Sequence, residues 1–431
     1  MKLQQPLMAV LCSALLFSSC KKDKIDTPAP PPPPDLTPSI ASISPTSAGY
    51  GAVVTISGTN FNSDKSKDTV TIGGLVIPVE SATATTLTIK LPSLLATGSG
   101  TIEVKTGNGK ITGPKLTYVP DVFIAGSEAP DANSEDVATL WKNDTAQTVF
   151  TSTNGAAANA IFVNGSEIVL GGMKYGGTVT PAIWKNGVLS TLPVAAEGGN
   201  LNAITVSGND IYAVGFLNTP TYSKGTYWVN GTAHTVAPNA LGSDAKAIAV
   251  SGNDIYIAGY ETDGNRTIPK YYRNGTAYTL ANANDGNCNV NAISLSGTDV
   301  YVAGSEVVNS KESVRLWRNG TIVPIPATNN HERVAAMTVV GNDVYMAGIE
   351  INSTTGAYYA KYWKNGVATN VTDGSTYVIL TGIAVFENDV YVTGFEQLNG
   401  TTKSVYWKNG VKTILTKSGS GHGYAQAIAL R

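Results

Sequence analysis

The chain has 431 residues, a formal net charge of −2 and only 14% charged residues, so it carries no basic stripe of the kind nucleic-acid binding requires. Its 45 glycines and the absence of any long helical periodicity point to an all-β, loop-rich protein. Of its three cysteines, Cys12 and Cys20 lie near the N-terminus and Cys288 stands alone, which excludes a disulfide framework in the folded part.

In chain order, Lys2 precedes an apolar stretch from Leu7 to Phe17 that is too short to span a bilayer, followed by Ser18, Ser19 and Cys20. Phe17-Ser-Ser-Cys20 resembles the lipobox of a bacterial lipoprotein signal, with Phe where Leu is commoner. The resemblance implies removal of residues 1–19 and lipidation of Cys20, whose several acyl chains would anchor the protein to the membrane more firmly than one chain could. An ordinary secretory signal with a chance cysteine is the alternative. Lys21 after the cysteine implies an outer-membrane address, at the cell surface or the periplasmic face. Residues 20–37 form the linker region, and the proline-rich spacer at 26–38 is extended at ~3.1 Å per residue and on the order of 40 Å long.

Residues 38–119 carry short alternating segments that predict one small sandwich without a disulfide. Ile43-Ser-Pro45, Gly51 to Phe61, Val70-Thr-Ile-Gly-Gly74, Leu87 to Pro92 and Gly100 to Val104 resemble an IPT/TIG domain, which implies an immunoglobulin-like β-sandwich. In bacterial surface proteins such modules serve mainly as spacers.

From Asp121 to Arg431 one unit of about 44 residues recurs seven times. Acidic residues at 121, 167, 210, 254, 299, 343 and 389 open a strand of the type Asp299-Val-Tyr-Val-Ala-Gly304. An aromatic follows 17 to 20 residues later, at Trp141, Trp184, Trp228, Tyr272, Trp317, Trp363 and Trp407. All six tryptophans thus occupy one repeat position, as expected of packing between repeated units. After the aromatic comes Asn-Gly, or Asn143-Asp144 in the first unit, the strongest short hairpin signal because both central residues of a type I′ turn need positive φ. A preceding Ala-Ile strand, as in Ala247 to Val250, joins the acidic strand through Ser251-Gly-Asn253, so each unit supplies four strands. Several short strands per repeat of this length predict a seven-bladed β-propeller over residues 120–431. The first unit begins with its second strand, and Tyr424 to Leu430 is one Ala-Ile strand left over, so the C-terminal strand is expected to close the ring in the first blade. The pattern is similar to extracellular HAF-type repeats and more loosely to kelch and NHL propellers, a resemblance that implies the fold and export and transfers no site.

Catalytic and metal motifs are missing from the linear sequence. His234, His331 and His422 have no metal-ligand spacing, and there is no Gly-x-Ser-x-Gly elbow, phosphate loop or calcium loop. Neither catalytic residues nor cofactors are assigned, and Cys288 is expected to be a passive thiol. Loop carboxylates of different blades could nevertheless assemble a site without any motif.

The loops leaving each second strand and entering each innermost strand are the longest and most variable, and they share one end of the propeller, where binding residues usually lie. At the exit of the second strand stand Glu128, Glu261, Glu306, Glu350 and Glu396. These could form an acidic partial ring at the channel mouth, or each could be solvated or paired with a loop lysine such as Lys311 or Lys403. Tyr260, Tyr424, His331 and Arg333 complete the candidate binding set, suited to sugars by stacking and hydrogen bonding. The expected function is a monomeric, non-enzymatic envelope module for a glycan or protein ligand. A propeller glycoside hydrolase or lyase, and a purely structural role, are the alternatives.

Overall fold

The computed structural model describes residues 36–93, 98–129, 131, 134–150, 154–194, 196–280, 288–308, 310–415 and 421–431. The signal-like segment with Cys20 and nearly all of the proline-rich spacer lie outside them. Among the described residues no helix is long and apolar enough to cross a membrane.

The first domain is a sandwich of two sheets. One holds Ser39–Ser44, Val53–Thr59, Thr86–Lys90 and Val79–Ala82 in that order; the other holds Ser47–Ala48, Gly109–Tyr118, Gly100–Thr106, Thr69–Ile72 and Leu75–Ile77. Strict alternation places Val54, Ile56, Val70, Ile72, Leu87, Ile89, Ile102 and Val104 inside, each fully buried. Side chains of period two can fill one face while the intervening threonines and lysines stay wet.

Seven four-stranded antiparallel sheets follow, each a meander from axis to rim. Blade four is representative: Gly242–Ser251 is innermost, then Asp254–Thr262, Thr267–Arg273 and Thr276–Thr279. Consecutive innermost strands pack against one another around the axis. The first blade borrows its innermost strand from the C-terminus, Gly423–Leu430, which pairs antiparallel with Val122–Glu128. Asp121 and Arg431 then exchange two backbone hydrogen bonds of 2.7 and 2.9 Å, and the Arg431 guanidinium bonds Asp121 at 2.6 Å and the Gly165 carbonyl at 2.6 Å. The closing strand completes the first blade, so that all seven sheets have four strands and Val122–Glu128 is paired on both sides.

The repeated aromatics weld neighbouring blades. Trp184 packs with Phe123, Ala125 and Leu140 of the preceding blade, Trp317 with Tyr256 and Tyr271, and Trp407 with Tyr345 and Ala360. Each tryptophan is at most 2% exposed. Burying an indole once per interface supplies the apolar area that a four-stranded sheet cannot bury alone.

At the end of the short turns a second set of contacts repeats. The turn asparagines have φ near 50°, from 45° at Asn143 to 51° at Asn319, and the glycines after them φ of 80–86°, the type I′ geometry that twists with the strands. Each asparagine Oδ1 accepts from the backbone N–H one residue into the second strand, as at Val300 (2.8 Å) and Val344 (2.8 Å). In six blades its Nδ2 donates at 2.7 Å to the acidic residue that opens that strand: Asp121, Asp210, Asp254, Asp299, Asp343 and Asp389. The Lys or Arg before the asparagine pairs with the same carboxylate in most blades. The acidic residue therefore repeats because it ties two hairpins together.

The sandwich docks on this turn-bearing end. Tyr118 packs against Phe386 at 5.6 Å between ring centroids, and Arg431 lies 4.3 Å over the Tyr50 ring. Where other blades have glycine at the first turn position, as at Gly252 and Gly341, blade seven has Glu387 with φ of 53°. Its carboxylate accepts the backbone N–H of Ser99 in the sandwich. The left-handed conformation, costly for a residue with a Cβ, is held where the side chain bridges the two domains.

Candidate functional site

The end opposite the sandwich carries the long loops and an axial cavity of ≈ 1000 Å³. Its wall is built by a backbone irregularity. Every innermost strand has a β-bulge a few residues after it enters from the loops, so that one residue per blade drops out of register with the second strand. The seven bulged residues are Asn159, Asn202, Lys246, Asn291, Ala335, Thr381 and Gln426, and all seven line the cavity. A bulge re-aims a side chain without ending the strand, which here turns one residue of each blade onto the axis.

Several bulge residues also clasp the next blade. Asn159 Nδ2 donates to the Leu201 carbonyl (3.0 Å), Asn202 Nδ2 to that of Ala245 (2.8 Å), Asn291 Nδ2 to that of Val334 (2.7 Å) and Thr381 Oγ1 to that of Ala425 (2.8 Å). In each case the acceptor is the residue just before the next bulge. Nearer the mouth the wall adds Asn200, Asn289, Arg333 and Ile379 from innermost strands, and Tyr260, Ser305, Val307 and Ile349 from second strands.

The charged groups of the wall are internally matched. Lys246 forms an ion pair with Asp244, which also accepts from Asn202 Nδ2 at 2.9 Å. Burial pushes the Asp244 carboxyl up, with the lysine opposing. Burial also raises the Tyr260 phenol, over whose ring Lys246 sits at 5.9 Å. Arg333 pairs through Nε with Glu312, whose backbone N–H donates to His331 Nδ1 at 3.3 Å.

Of the residues singled out from sequence, Tyr260 and Arg333 line the cavity, and His331 holds the Glu312 segment beneath Arg333. Tyr424 packs edge-on against Phe395 at 5.3 Å. The glutamates do not form a ring at the mouth. Glu306, Glu350 and Glu396 are 4%, 6% and 2% exposed, and each is neutralised within its own blade. Glu306 meets Arg315 (2.7 Å), Glu350 meets Lys361 and Asn330, and Glu396 meets Lys412 (2.8 Å) and Thr376 (2.7 Å). Glu261 binds Lys270 (2.6 Å) and the Tyr272 hydroxyl (2.8 Å). Glu128 is half-buried opposite Gly423 in the closing blade. The cause is strand parity: Tyr260, Ser305 and Ile349 face the cavity, so the glutamate one residue further on faces the other side of the blade. The cationic partners of Glu261, Glu306, Glu350 and Glu396 are Lys270, Arg315, Lys361 and Lys412, each on a strand of the same blade.

Sequence alternation alone does not reveal the bulge ring. Its signal is the residue before each Ala-Ile pair, Asn at 159, 202 and 291, Lys246, and Gln426.

Cys288 is buried, and burial first, with the Glu306 carboxylate second, pushes its thiol up to about 12, as suits a passive side chain. The three histidines are dispersed: His234 stacks on Tyr227 at 4.8 Å and His422 Nδ1 accepts from the Thr402 N–H at 3.2 Å. Among the described residues no group of three or more His, Cys, Asp or Glu could hold a metal ion.

No curated protein matches the chain. Solved structures with similar folds include a protein of unknown function from Bacteroides thetaiotaomicron at 15% identity, covering 90% of this chain and 88% of that one with a TM-score of 0.42. Two auxiliary nutrient binding proteins also align. The one from Bacteroides ovatus is 14% identical, with 91% and 90% covered and a TM-score of 0.30; the one from Bacteroides thetaiotaomicron is 12% identical, with 88% and 85% covered and a TM-score of 0.31. Similarity this low carries no argument about function. Over residues 38–119 the chain matches the IPT/TIG domain family, and this N-terminal sandwich is an IPT/TIG domain.

Proposed function

We propose that the protein is a non-catalytic, glycan-binding lipoprotein of a bacterial cell envelope, and that its site is the axial cavity at the loop-bearing end of the propeller. The observation that carries this reading is the concentration of side-chain amides on one wall: Asn159, Asn200, Asn202, Asn289, Asn291 and Gln426 line a single cavity. Amides accept, and those whose N–H groups are not taken by neighbouring residues also donate, as sugar hydroxyls do, and Tyr260 adds an aromatic face. The cavity volume of ≈ 1000 Å³ suits a small oligosaccharide better than a protein loop bundle. The carboxylate of the wall, Glu312, is paired with Arg333, which favours holding a ligand over protonating a glycosidic oxygen.

The anchor rests on the sequence Phe17-Ser-Ser-Cys20. The sandwich on the turn-bearing end leaves the cavity mouth clear of it. A glycan array with a polysaccharide-turnover assay on residues 36–431 tests the binding reading. Retained oligosaccharide with no turnover is expected, and released product would overturn it. Mass spectrometry of the mature N-terminus tests the anchor, which an unmodified Cys20 would overturn.

A further inference from the structure

We infer that the axial cavity selects uncharged, hydroxyl-rich sugars and excludes anionic ones such as uronic acids and sulfated glycans. This rests on the reading of the cavity as a glycan site, and two independent features of the wall carry it. The first is charge. Lys246 is held by Asp244, and Arg333 is paired through Nε with Glu312, so each cation on the wall stands beside a carboxylate and the two pairs carry no net charge. An anion entering would lose hydration and meet, beside each cation, a carboxylate that repels it, which is costly. A cationic ligand meets the converse difficulty, because the same two carboxylates are occupied.

The second feature is the direction of the hydrogen bonds. The two amide hydrogens of Asn159 go to Asn200 Oδ1 (3.2 Å) and to the Leu201 carbonyl (3.0 Å). Those of Asn202 go to Asp244 Oδ1 (2.9 Å) and the Ala245 carbonyl (2.8 Å). An amide whose N–H groups are committed offers only its carbonyl oxygen, which accepts; that of Asn202 takes one long bond from Asn200 Nδ2 (3.5 Å) and keeps its second lone pair. The clasp between blades therefore turns these two ring amides into acceptors. A sugar hydroxyl donates to such an oxygen. A carboxylate or sulfate brings acceptors against acceptors.

The test uses the full chain in detergent on an array holding neutral glycans beside their uronic-acid and sulfated counterparts, followed by titration calorimetry of the best neutral probe and its anionic counterpart. Neutral glycans are expected to bind at least about tenfold more tightly than the matched anions, a margin of roughly one charge-assisted hydrogen bond. Ala335 occupies its ring position without a side-chain hydrogen bond, so Ala335→Trp should plug the cavity and abolish binding. Ala335→Lys should add an uncompensated cation and raise affinity for the anionic counterpart by about tenfold. Circular dichroism melting of both variants confirms the fold. Anionic glycans that bind as well as neutral ones, and lose binding in Ala335→Trp, overturn the selectivity and leave the cavity as the site. Absence of glycan binding, or binding that survives Ala335→Trp in a folded variant, overturns both.

Discussion

At the turn-bearing end of the propeller, blade after blade repeats one set of bonds: an asparagine in a left-handed turn, an acid that accepts from it, and a cation beside it. At the loop-bearing end the seven bulge positions hold five residue types, and ion pairs such as Lys246 with Asp244 within blade four, or Arg333 with Glu312 between blades six and five, each belong to one place in the ring. The difference separates the positions that build every unit from those that vary between units. Bonds that recur in every unit close hairpins and join sheets; side chains that change from unit to unit are free to meet a ligand.

The comparison can be broken most severely at the ring closure. Deleting residues 423–431 removes the innermost strand of the first blade together with the Asp121–Arg431 contacts. It should destabilise the protein by more than about 4 kcal/mol, beyond the usual range of local changes. An unchanged cooperative melt would show that the ring does not depend on that strand.

Next in size is Trp228→Ala. Trp228 is fully buried between blades two and three, and the loss should be about 3–5 kcal/mol by urea denaturation. A cost below about 1 kcal/mol would mean that the interface collapses around the gap.

Asn319→Ala is a smaller test of the turn-bearing end. It removes the bonds to Val300 and Asp299 and places alanine at a φ of 51°. The expected cost is about 1–2 kcal/mol, with glycan binding unaltered. Tyr377→Ala, at a side chain 42% exposed whose ring lies 4.7 Å from that of Tyr358, should by contrast cost only about 0.5–1 kcal/mol.

Acid and base should act on the two ends in opposite senses. Asp254, Asp299 and Asp343 are held below the usual carboxylate range, first by hydrogen bonds from Arg273, Arg318 and Lys364 and then by the turn asparagines. Their contribution is present above about pH 4 and is lost as pH falls through the depressed values. Glu332, near the loops, is pushed above 4.5 by burial and then by the neighbouring Glu350, so its contribution is present at low pH and lost as pH rises. Glu332→Gln should therefore raise the melting temperature at about pH 8 and leave it unchanged at about pH 4. A melting temperature lowered at the higher pH would show that the charged Glu332 is needed there.

Much of the architecture was legible because it is written once per repeat. The tryptophans announced the interfaces, Asn-Gly announced the type I′ turns, and the extra Ala-Ile strand at 424–430 announced the closure. The cavity was not legible, for a specific reason. Faces are assigned along a strand by counting in twos, and a bulge inserts one uncounted residue, so Asn202 and Lys246 stand on a side that alternation does not predict. The same parity misplaced the glutamates. Glu261, Glu306 and Glu350 share a repeat position with a strand cation nine to eleven residues later, Lys270, Arg315 and Lys361, a pairing that only the register reveals.

The bulges also have an evolutionary consequence. A residue outside the ladder can be exchanged without shifting the pairing of its strand, so the axis offers seven letters on a fixed frame, several of them coupled through the clasp to the next blade. Asn, Asn, Lys, Asn, Ala, Thr and Gln spell one word in that alphabet, and a new specificity would need only a respelling.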